Sequence, residues 1–327
     1  MKIMILGTGG RLGAALAREF QDYDVTGFNR EQFDLSDLDG LRTTLDPMSF
    51  DVLINAAGFT NVDACETERD RAFLINAEAP GVLATICNAK DAKLIHFSTD
   101  YVFDGEKRTP YTEEDHANPI SVYGESKLIG EKNVLAVENH HLVVRVSWVF
   151  GPDRPSFIDA MIKRAQENEK VDAIADKFST PTYTHDIAGM LRRFFPGETV
   201  AGIGDPGRVA AGRCDAGVTA PGYSACDFGG ILHFANAGKC SWQEYAQWAL
   251  DCCRDAGIPL KAKTVGALKL SEMTRLRQGS GGQANWVARR PVYSVLSTAK
   301  YTELTGTAPR AWRDAVADYI TRFYSKR

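Results

Sequence analysis

The sequence is poor in the signals that mark several classes of protein. Its seven cysteines include no C-x-x-C pair and their number is odd, which argues against a disulfide framework and against a zinc site built from ligand pairs. No apolar run approaches the ~18 residues of a membrane span, and the apolar stretch before Gly7 is too short for a signal peptide. The net charge of −4 argues mildly against a nucleic-acid or anionic-membrane surface. We therefore expect a cytoplasmic protein with reduced thiols, no metal site, and neither a nucleic-acid nor a membrane partner.

The composition is that of a globular protein, with 44% apolar and 24% charged residues. At roughly 100–200 residues per domain, the length of 327 fits two domains or one large α/β unit. Up to residue 150, short apolar runs alternate with segments of helical periodicity. The predicted strands are 2–6, 23–28, 51–55, 93–97 and 141–148, and the predicted helices are 11–20, 35–45, 66–90 and 122–137.

This alternation predicts an α/β fold with a Rossmann-like, doubly wound parallel sheet. The pattern is looser after Gly151, so a smaller, mixed α/β part is expected to follow. We predict a dinucleotide-binding domain over 1–150 and a substrate-binding part over 151–327. Segments near 170–195 and 231–236 are candidates to return to the first domain.

Three glycines follow the first predicted strand and open the first predicted helix. Gly7, Gly10 and Gly13 have the spacing that permits a tight turn, close approach of the backbone to a pyrophosphate, and close packing of the helix on the sheet. The helix N-terminus then offers free N–H groups to phosphates. The alternative is a glycine-rich turn without a ligand. The predicted dinucleotide contacts at this end are Gly7, Thr8, Gly10, Arg11, Leu12 and Gly13.

The second predicted strand ends without the carboxylate that usually binds the ribose 2′-hydroxyl of NAD. It reads Gly27-Phe28-Asn29-Arg30, and Arg30 suits a 2′-phosphate. This predicts a preference for NADPH, with NADH as a possible second cofactor; the alternative is a solvated Arg30 with no such role. Further cofactor contacts are predicted at Asn29, Asp34 and Leu35 near the adenine, and at the small residues Ala56, Ala57 and Gly58 after the third strand.

Tyr123 and Lys127 lie four residues apart, on one face of a predicted helix. An ammonium near a phenol lowers the pKa of the phenol from ~10. Such a phenol can exchange a proton during carbonyl reduction near neutral pH. Thr99, at the end of the fourth predicted strand, should face the same crevice and hydrogen-bond a substrate carbonyl. We predict Thr99, Tyr123 and Lys127 as catalytic residues, with a solvated surface helix as the alternative.

Several longer stretches resemble one known family. They are residues 55–66, Phe97-Ser-Thr-Asp-Tyr-Val-Phe-Asp-Gly105, residues 118–131, residues 145–151, Thr180-Pro-Thr182 and residues 288–294. On these motifs the chain resembles the dTDP-4-dehydrorhamnose reductases, a branch of the extended short-chain dehydrogenase/reductase family. The resemblance covers most of the chain and is densest from 1 to 190.

The resemblance implies hydride transfer from NAD(P)H to C4 of a 4-keto-6-deoxy sugar attached to dTDP, in dTDP-rhamnose biosynthesis. Tyr123 would protonate the nascent alkoxide, Lys127 would bind the nicotinamide ribose, and Thr99 would polarise the carbonyl. Family members are often homodimers, and some hold magnesium at the dimer contact, for which we assign no ligands here. The substrate-binding positions implied are Thr99, Asp100, Tyr101, Val102, Trp148, Thr180, Pro181 and Arg290.

The chain also departs from the family. Where the family has Asp-Gln-x-Gly-x-Pro-Thr, this sequence reads Asp176-Lys-Phe-Ser-Thr-Pro-Thr182. Two segments, 197–230 and 275–286, exceed the usual length, and we interpret them as surface insertions rather than as new functional elements. Two alternatives stay open: reduction of another nucleotide-linked 4-keto sugar, and a non-catalytic NADP-binding regulatory subunit.

Overall fold

The structure, a computed structural model, describes residues 1–137, 140–195, 228–272 and 287–325. Its strands are β1 Lys2–Leu6, β2 Asp24–Phe28, β3 Val52–Asn55, β4 Lys93–Thr99, β5 Leu142–Val146, β6 Val149–Phe150, β7 Val171–Ile174, β8 Phe178–Ser179, β9 Thr182–Tyr183, β10 Gly230–Phe234, β11 Cys240–Ser241 and β12 Val265–Leu268. Its α-helices are α1 Arg11–Glu19, α2 Leu38–Leu45, α3 Val62–Thr67, α4 Arg69–Phe73, α5 Ala79–Ala89, α6 Val122–Val137, α7 Phe157–Glu167, α8 Thr184–Arg192, α9 Trp242–Asp255, α10 Ala299–Thr305 and α11 Trp312–Phe323.

Six strands form one sheet in the order β10-β5-β4-β3-β1-β2, and every neighbouring pair is parallel. The predicted doubly wound fold is therefore confirmed. The central strands carry continuous apolar runs because both of their faces are covered. Leu16 of α1 and Ile187 of α8 pack on one face, and Leu41 of α2 and Leu83 of α5 pack on the other. The order reverses beside β1, and ligands bind at such a point in open α/β sheets.

One long helical stretch runs from Arg69 to Ala89 through a π-helical turn at Leu74–Glu78. Within the described ranges it is the one helix long and apolar enough to span a membrane, but 56% of its apolar window is buried inside the protein. Leu83 and Cys87 pack into the core beneath the sheet. The composition of this stretch is accounted for by that buried position.

A second, smaller layer of helices follows the sheet. Helices α7, α9 and α11 share an apolar cluster that includes Ile162, Tyr245 and Ile320. Capping boxes begin two of these helices, at Ser156 with Asp159 and at Ser241 with Glu244, as the sequence predicts for the second. Strands β7 and β12 form a separate parallel pair beside them.

Two elements of the second half of the chain pack on the first. Strand β10 pairs with β5 at the edge of the main sheet, and α8 packs against α1. Strand β7 lies outside that sheet. The sequence analysis missed β12 and α10, and the predicted insertions lie outside the described residues except for 228–230 of the first.

Candidate active site

A cavity of about 820 Å³ lies at the carboxyl ends of β1, β3 and β4. Its wall includes most of the predicted site residues, drawn from the glycine turn, the ends of β2 and β3, and the start of α6. These residues are Gly7, Gly10, Arg11, Leu12, Asn29, Arg30, Asp34, Leu35, Ala56, Ala57, Gly58, Thr99, Asp100, Tyr101, Tyr123, Lys127 and Trp148. The fold thus brings the predicted dinucleotide contacts and the predicted catalytic residues to one crevice.

Backbone geometry forms the cofactor end of this cavity. Gly7 has a φ of +88°, and a Cβ there would lie 2.9 Å from the nitrogen of Ala57. A Cβ on Gly13 would lie 2.1 Å from the carbonyl oxygen of Gly7, so a side chain at this position would collide with the turn. No side chain caps α1 at Gly10. The N–H groups of its first turn therefore remain available to a diphosphate, and this cradle fits a dinucleotide.

Arg11 uses its side chain to hold the cavity together. The Arg11 guanidinium donates to the carbonyl oxygens of Val149, Arg154 and Pro155, and Arg154 donates to the carbonyl oxygen of Gly9. Burial lowers the pKa of Arg11. Its side chain therefore braces the glycine turn against the loop after β6, which leaves its main-chain N–H for the predicted phosphate contact.

Two predicted cofactor contacts lie behind the wall of the cavity. Gly13 packs under the turn. The Thr8 side chain packs against Gly27, where a Cβ would come within 2.7 Å of Thr8 Cγ2. The main-chain nitrogen of Thr8 donates to Phe28. Thr8 and Gly13 shape the turn in this structure, since neither lies on the wall of the cavity.

Two arginine side chains lie at the far end of the cofactor region. Arg30 and Arg71 both line the cavity, and both contribute to lowering the pKa of Asp34. The largest contribution to that shift is the hydrogen bond from the backbone of Ser36. Two guanidinium groups within reach of one wall suit an anionic group such as a phosphate. The sequence analysis missed Arg71 because this residue lies on α4, far from Arg30 in the sequence.

The two predicted catalytic hydroxyls meet at the middle of the cavity. Tyr123, on the first turn of α6, lies beside the Thr99 side chain at the end of β4. A Cβ on Gly124 would lie 2.1 Å from the carbonyl oxygen of Tyr101, so glycine allows α6 to approach this strand end closely. Burial raises the pKa of Tyr123 above its usual range, and the neighbouring Thr99 side chain acts to lower it. A neutral phenol with a hydroxyl neighbour can donate a proton to a developing alkoxide.

Lys127 is fully enclosed one turn further along α6. Its Nζ donates to the carbonyl oxygen of Phe97 at 2.6 Å and lies 3.1 Å from Nε2 of His96. Burial lowers the pKa of Lys127 to about 8, and the charge of Glu131 opposes this shift. Lys127 does not contribute to the pKa of Tyr123 in this arrangement. The predicted lowering of the Tyr123 pKa is therefore not seen, because Nζ bonds to β4 and burial dominates at the phenol.

The hydrogen-bond network also assigns the protonation of this pair. The main-chain nitrogen of Ala57 donates to Oδ1 of Asn55, so Nδ2 of Asn55 donates to Nδ1 of His96. A neutral His96 then carries its proton on Nε2 and donates it toward Lys127. This network favours an uncharged amine on Lys127. His96 has no exposure and was missed by the sequence analysis because a lone histidine in a strand carries no distinctive pattern.

Two buried contacts fix the helix that carries Tyr123. Glu131 of α6 forms an ion pair with Arg145 of β5, with 1% and 3% of their side chains exposed. Asn76, in the π-helical turn, accepts from the nitrogen of Phe59 at 2.8 Å and donates to Ser126 at 3.1 Å. Single π-helical turns often occur at functional sites. The sequence indicated neither the turn nor the role of Asn76.

Aromatic rings form the sugar end of the cavity. Trp148 has a φ of +44°, which is uncommon for a bulky residue and costs conformational energy. Its ring stacks on Trp242 at 5.3 Å and meets Tyr245 edge-on at 4.7 Å. The strained backbone directs the predicted Trp148 to the cavity wall. Trp242 was missed because it begins a helix nearly 100 residues later in the chain.

Asp100 is the centre of a buried polar network beside Thr99. Its carboxylate accepts hydrogen bonds from Thr99, Ser147, Ser179 and Ser294, at distances from 2.6 to 3.3 Å. Burial raises the pKa of Asp100, and these donors oppose the shift. Four donors are the expected environment of an ionised carboxylate. Ser179, which replaces the family glycine, is one of them.

Four predicted substrate contacts do not lie on the wall of this cavity. Arg290 is held by Asp63 in a two-pronged ion pair of 2.7 and 3.1 Å, with 10% of its side chain exposed. Val102 packs in an apolar cluster with Phe103. Thr180 donates to the carbonyl oxygen of Gly238, and Pro181 is buried next to it. Val102, Thr180 and Pro181 support the site from behind.

Comparison with known proteins identifies the family. The family model described as RmlD substrate binding domain matches residues 1–201 and 214–325. The chain is 34% identical to the dTDP-4-dehydrorhamnose reductase of Mycolicibacterium smegmatis, over 98% of this chain and 85% of that protein. It is 32% identical to a protein of Streptomyces antibioticus named probable dTDP-4,6-dihydroxy-2-methyloxan-3-one 4-ketoreductase, over 97% and 94%.

A solved structure shows the same likeness. The dTDP-4-dehydrorhamnose reductase of Bacillus anthracis, in complex with NADP, matches with a TM-score of 0.80 and 26% identity, over 98% of this chain and 99% of that one. Fold, motifs and sequence agree over nearly the full length. The chain belongs to the family of the RmlD substrate binding domain, that of the dTDP-4-dehydrorhamnose reductases.

Proposed function

We propose that this protein uses NADPH to reduce the C4 keto group of dTDP-4-dehydro-6-deoxy-L-mannose, which yields dTDP-L-rhamnose. The observation that carries the proposal is the placement of Tyr123 beside Thr99 in the same cavity as the glycine cradle. The family to which the chain belongs supports it. An oxidoreductase needs both features in one crevice, since the hydride donor and the proton donor must reach the same carbonyl.

Tyr123 and Thr99 would act on the carbonyl oxygen from one side. The bound cofactor supplies the hydride that forms the new C4–H bond. With substrate bound, the Thr99 hydroxyl would donate its hydrogen bond to the carbonyl oxygen instead of to Asp100, and so favour the negative charge that develops there. Tyr123 then transfers its hydroxyl proton to that oxygen, which completes the alcohol. Burial keeps Tyr123 protonated until this step.

Lys127 would bind the nicotinamide ribose and restore the proton to Tyr123. With its pKa lowered to about 8, it can take up or release a proton near neutral pH. Its bonds to Phe97 and His96 hold Nζ at the cavity wall.

Arg30, together with Arg71, would bind the 2′-phosphate of NADPH. Arg30 follows β2, and Arg71 of α4 lines the same cavity. Strand β2 ends without the carboxylate that usually binds the ribose 2′-hydroxyl of NAD. Asn29 shapes the turn there, since its Oδ1 accepts from the nitrogens of Glu31 and Gln32. NADH would then be the poorer of the two cofactors.

We also infer that the protein works as a homodimer in the cytoplasm. The support for the dimer is the family resemblance, and the five described cysteines, all free thiols, suit a reducing compartment. A solution mass near twice 35.9 kDa would agree, and a mass of 35.9 kDa would not. Magnesium is not part of this proposal.

The decisive experiment follows NADPH oxidation at 340 nm with a panel of nucleotide-linked 4-keto sugars. Turnover that is fastest with dTDP-4-dehydro-6-deoxy-L-mannose would support the proposal. Faster turnover with a different sugar would favour the second candidate, which the replacement of the family glutamine by Lys177 supports. Tight NADPH binding without turnover of any sugar would indicate a regulatory subunit instead.

A further inference from the structure

Lys177 is a buried cation at the sugar end of the cavity. It lies between β7 and β8 with 2% of its surface exposed. Its Nζ is 5.5 Å from the ring centre of Tyr101 and 5.8 Å from that of Trp242. Tyr101 lines the cavity directly, and Trp242 stacks on the cavity residue Trp148. The ammonium therefore lies beside the ring of Tyr101, at the end of the cavity where a hexose would bind.

This ammonium lacks a hydrogen-bond acceptor. Among the residues that the structure describes, no oxygen forms a hydrogen bond or an ion pair with Nζ of Lys177. Asp100 attracts it, but the Asp100 oxygens are taken by four hydroxyls. The two aromatic rings offset only part of the cost of burying a charge. An additional acceptor at Nζ, which carries three N–H donors, would therefore be stabilising.

The charges around Lys177 indicate what kind of acceptor is missing. Asp100 balances Lys177, and Asp63 balances Arg290 in its two-pronged ion pair. A further carboxylate would bring an unbalanced negative charge into a buried site, at a high desolvation cost. A neutral oxygen completes the hydrogen bonds of Lys177 and leaves the charges balanced.

We propose that Lys177 determines sugar specificity, by donating a hydrogen bond from Nζ to a hydroxyl or carbonyl oxygen of the substrate hexose. The inference rests on the proposed function, since it assumes a nucleotide sugar in this cavity. An ammonium can only donate hydrogen bonds. Lys177 therefore favours a hexose that carries an oxygen at this point over one that is deoxygenated there.

The affinity for the sugar should depend on pH. Burial lowers the pKa of Lys177 to about 8, Asp100 opposes the shift, and Arg290 adds to it. The other titratable group packed against the ammonium is Tyr101, whose own pKa burial raises out of the accessible range. Above pH 8 the lysine loses its proton and its charge, so the dissociation constant of the nucleotide sugar should rise.

The test compares dTDP-L-rhamnose with dTDP as ligands of the full-length wild type, K177M and K177Q. We expect K177M to weaken binding of dTDP-L-rhamnose about 10–100-fold and to leave dTDP and NADPH unchanged. K177Q should lose less affinity, since its amide still donates. Between pH 7 and pH 9, the dissociation constant for dTDP-L-rhamnose should rise more for the wild type than for either variant, since both variants keep Lys127 with its pKa of about 8.

The outcomes separate this inference from the proposed function. Equal weakening of dTDP and dTDP-L-rhamnose would overturn it, because Lys177 would then bind the nucleotide or the diphosphate. Unchanged affinity for both ligands in both variants would also overturn it and would leave Lys177 a structural residue. If the wild type bound neither ligand, the proposed function itself would fail. Thermal unfolding of both variants shows whether each keeps its fold. If K177M is unstable, the comparison is made with K177Q, which is the milder change.

Discussion

At its cofactor end the cavity presents main-chain groups, whereas at its sugar end it presents side chains. The glycine turn and the first turn of α1 offer N–H groups. Position 13 requires glycine, because a Cβ there would collide with the carbonyl oxygen of Gly7. At the sugar end, Asp100 collects hydroxyls from Thr99 and three distant serines. The first surface accepts any diphosphate of the right shape, while the second can change with single substitutions. Cofactor use should therefore be harder to alter than sugar choice.

The largest effect is expected where the two ends meet. Tyr123→Phe removes the proton donor and should lower kcat about 10²–10⁴-fold. Because the ring stays in place against Tyr101, dissociation constants for NADPH and dTDP should change little. Stopped-flow kinetics and ligand titration measure the two effects. A variant that keeps near wild-type kcat would show that another group supplies the proton.

The cofactor end is tested by a matched pair of glycine substitutions. Gly13→Ala places a Cβ 2.1 Å from a carbonyl oxygen, whereas Gly189→Ala on α8 places it in open space. We expect Gly13→Ala to destabilise the protein by about 3 kcal/mol and to weaken NADPH binding. Gly189→Ala should stabilise it by about 0.5–1 kcal/mol. Urea unfolding with and without NADPH measures both stability and NADPH binding. If the two substitutions changed these quantities equally, the cradle would not depend on Gly13.

The sugar end is tested by removing one hydroxyl from the Asp100 network. Ser294→Ala deletes a 2.6 Å hydrogen bond to the buried carboxylate and should cost about 1–3 kcal/mol of stability. We expect a higher KM for the nucleotide sugar, with the KM for NADPH unchanged. Ser297→Ala, at an intermediate surface position in the same segment, is the control. An equal rise of both KM values would mean that the two ends are not independent.

The smallest effect is expected for cofactor choice. Arg30→Ala should lower the ratio of kcat/KM for NADPH over NADH about tenfold, since Arg71 still lines the same wall. The double variant with Arg71→Ala should lower it further. Steady-state rates with both cofactors give the ratio. An unchanged ratio in the double variant would place the discrimination elsewhere.

The sequence predicted the sheet and the position of the glycine turn well. Helix α6 was predicted over its observed length, and the glycine turn lies where the motif indicates, because these features depend on residues close together in the chain. Tyr123 and Thr99 were also predicted to meet, since strand ends and a following helix converge in a doubly wound sheet.

The sugar end could not be predicted to the same depth. Lys177, Trp242 and Ser294 approach Asp100 and Trp148 through packing between segments far apart in the sequence. The π-helical turn at Asn76 has no local sequence signature and is stabilised by contacts with the loop at Phe59 and with α6. Strand β12 was missed because its exposed residues break the apolar pattern.

The position of β10 has a consequence for how the chain is made. The edge of the sheet at β5 is covered only when the β10 strand, ending at Phe234, has been synthesised. At ribosomal speeds of about 5–20 residues per second, that edge waits several seconds after Val146 emerges. Until then the unpaired edge of β5 is open to pairing with another chain. A nascent chain stalled before β10 is therefore the form of this protein most prone to aggregation and most in need of a chaperone.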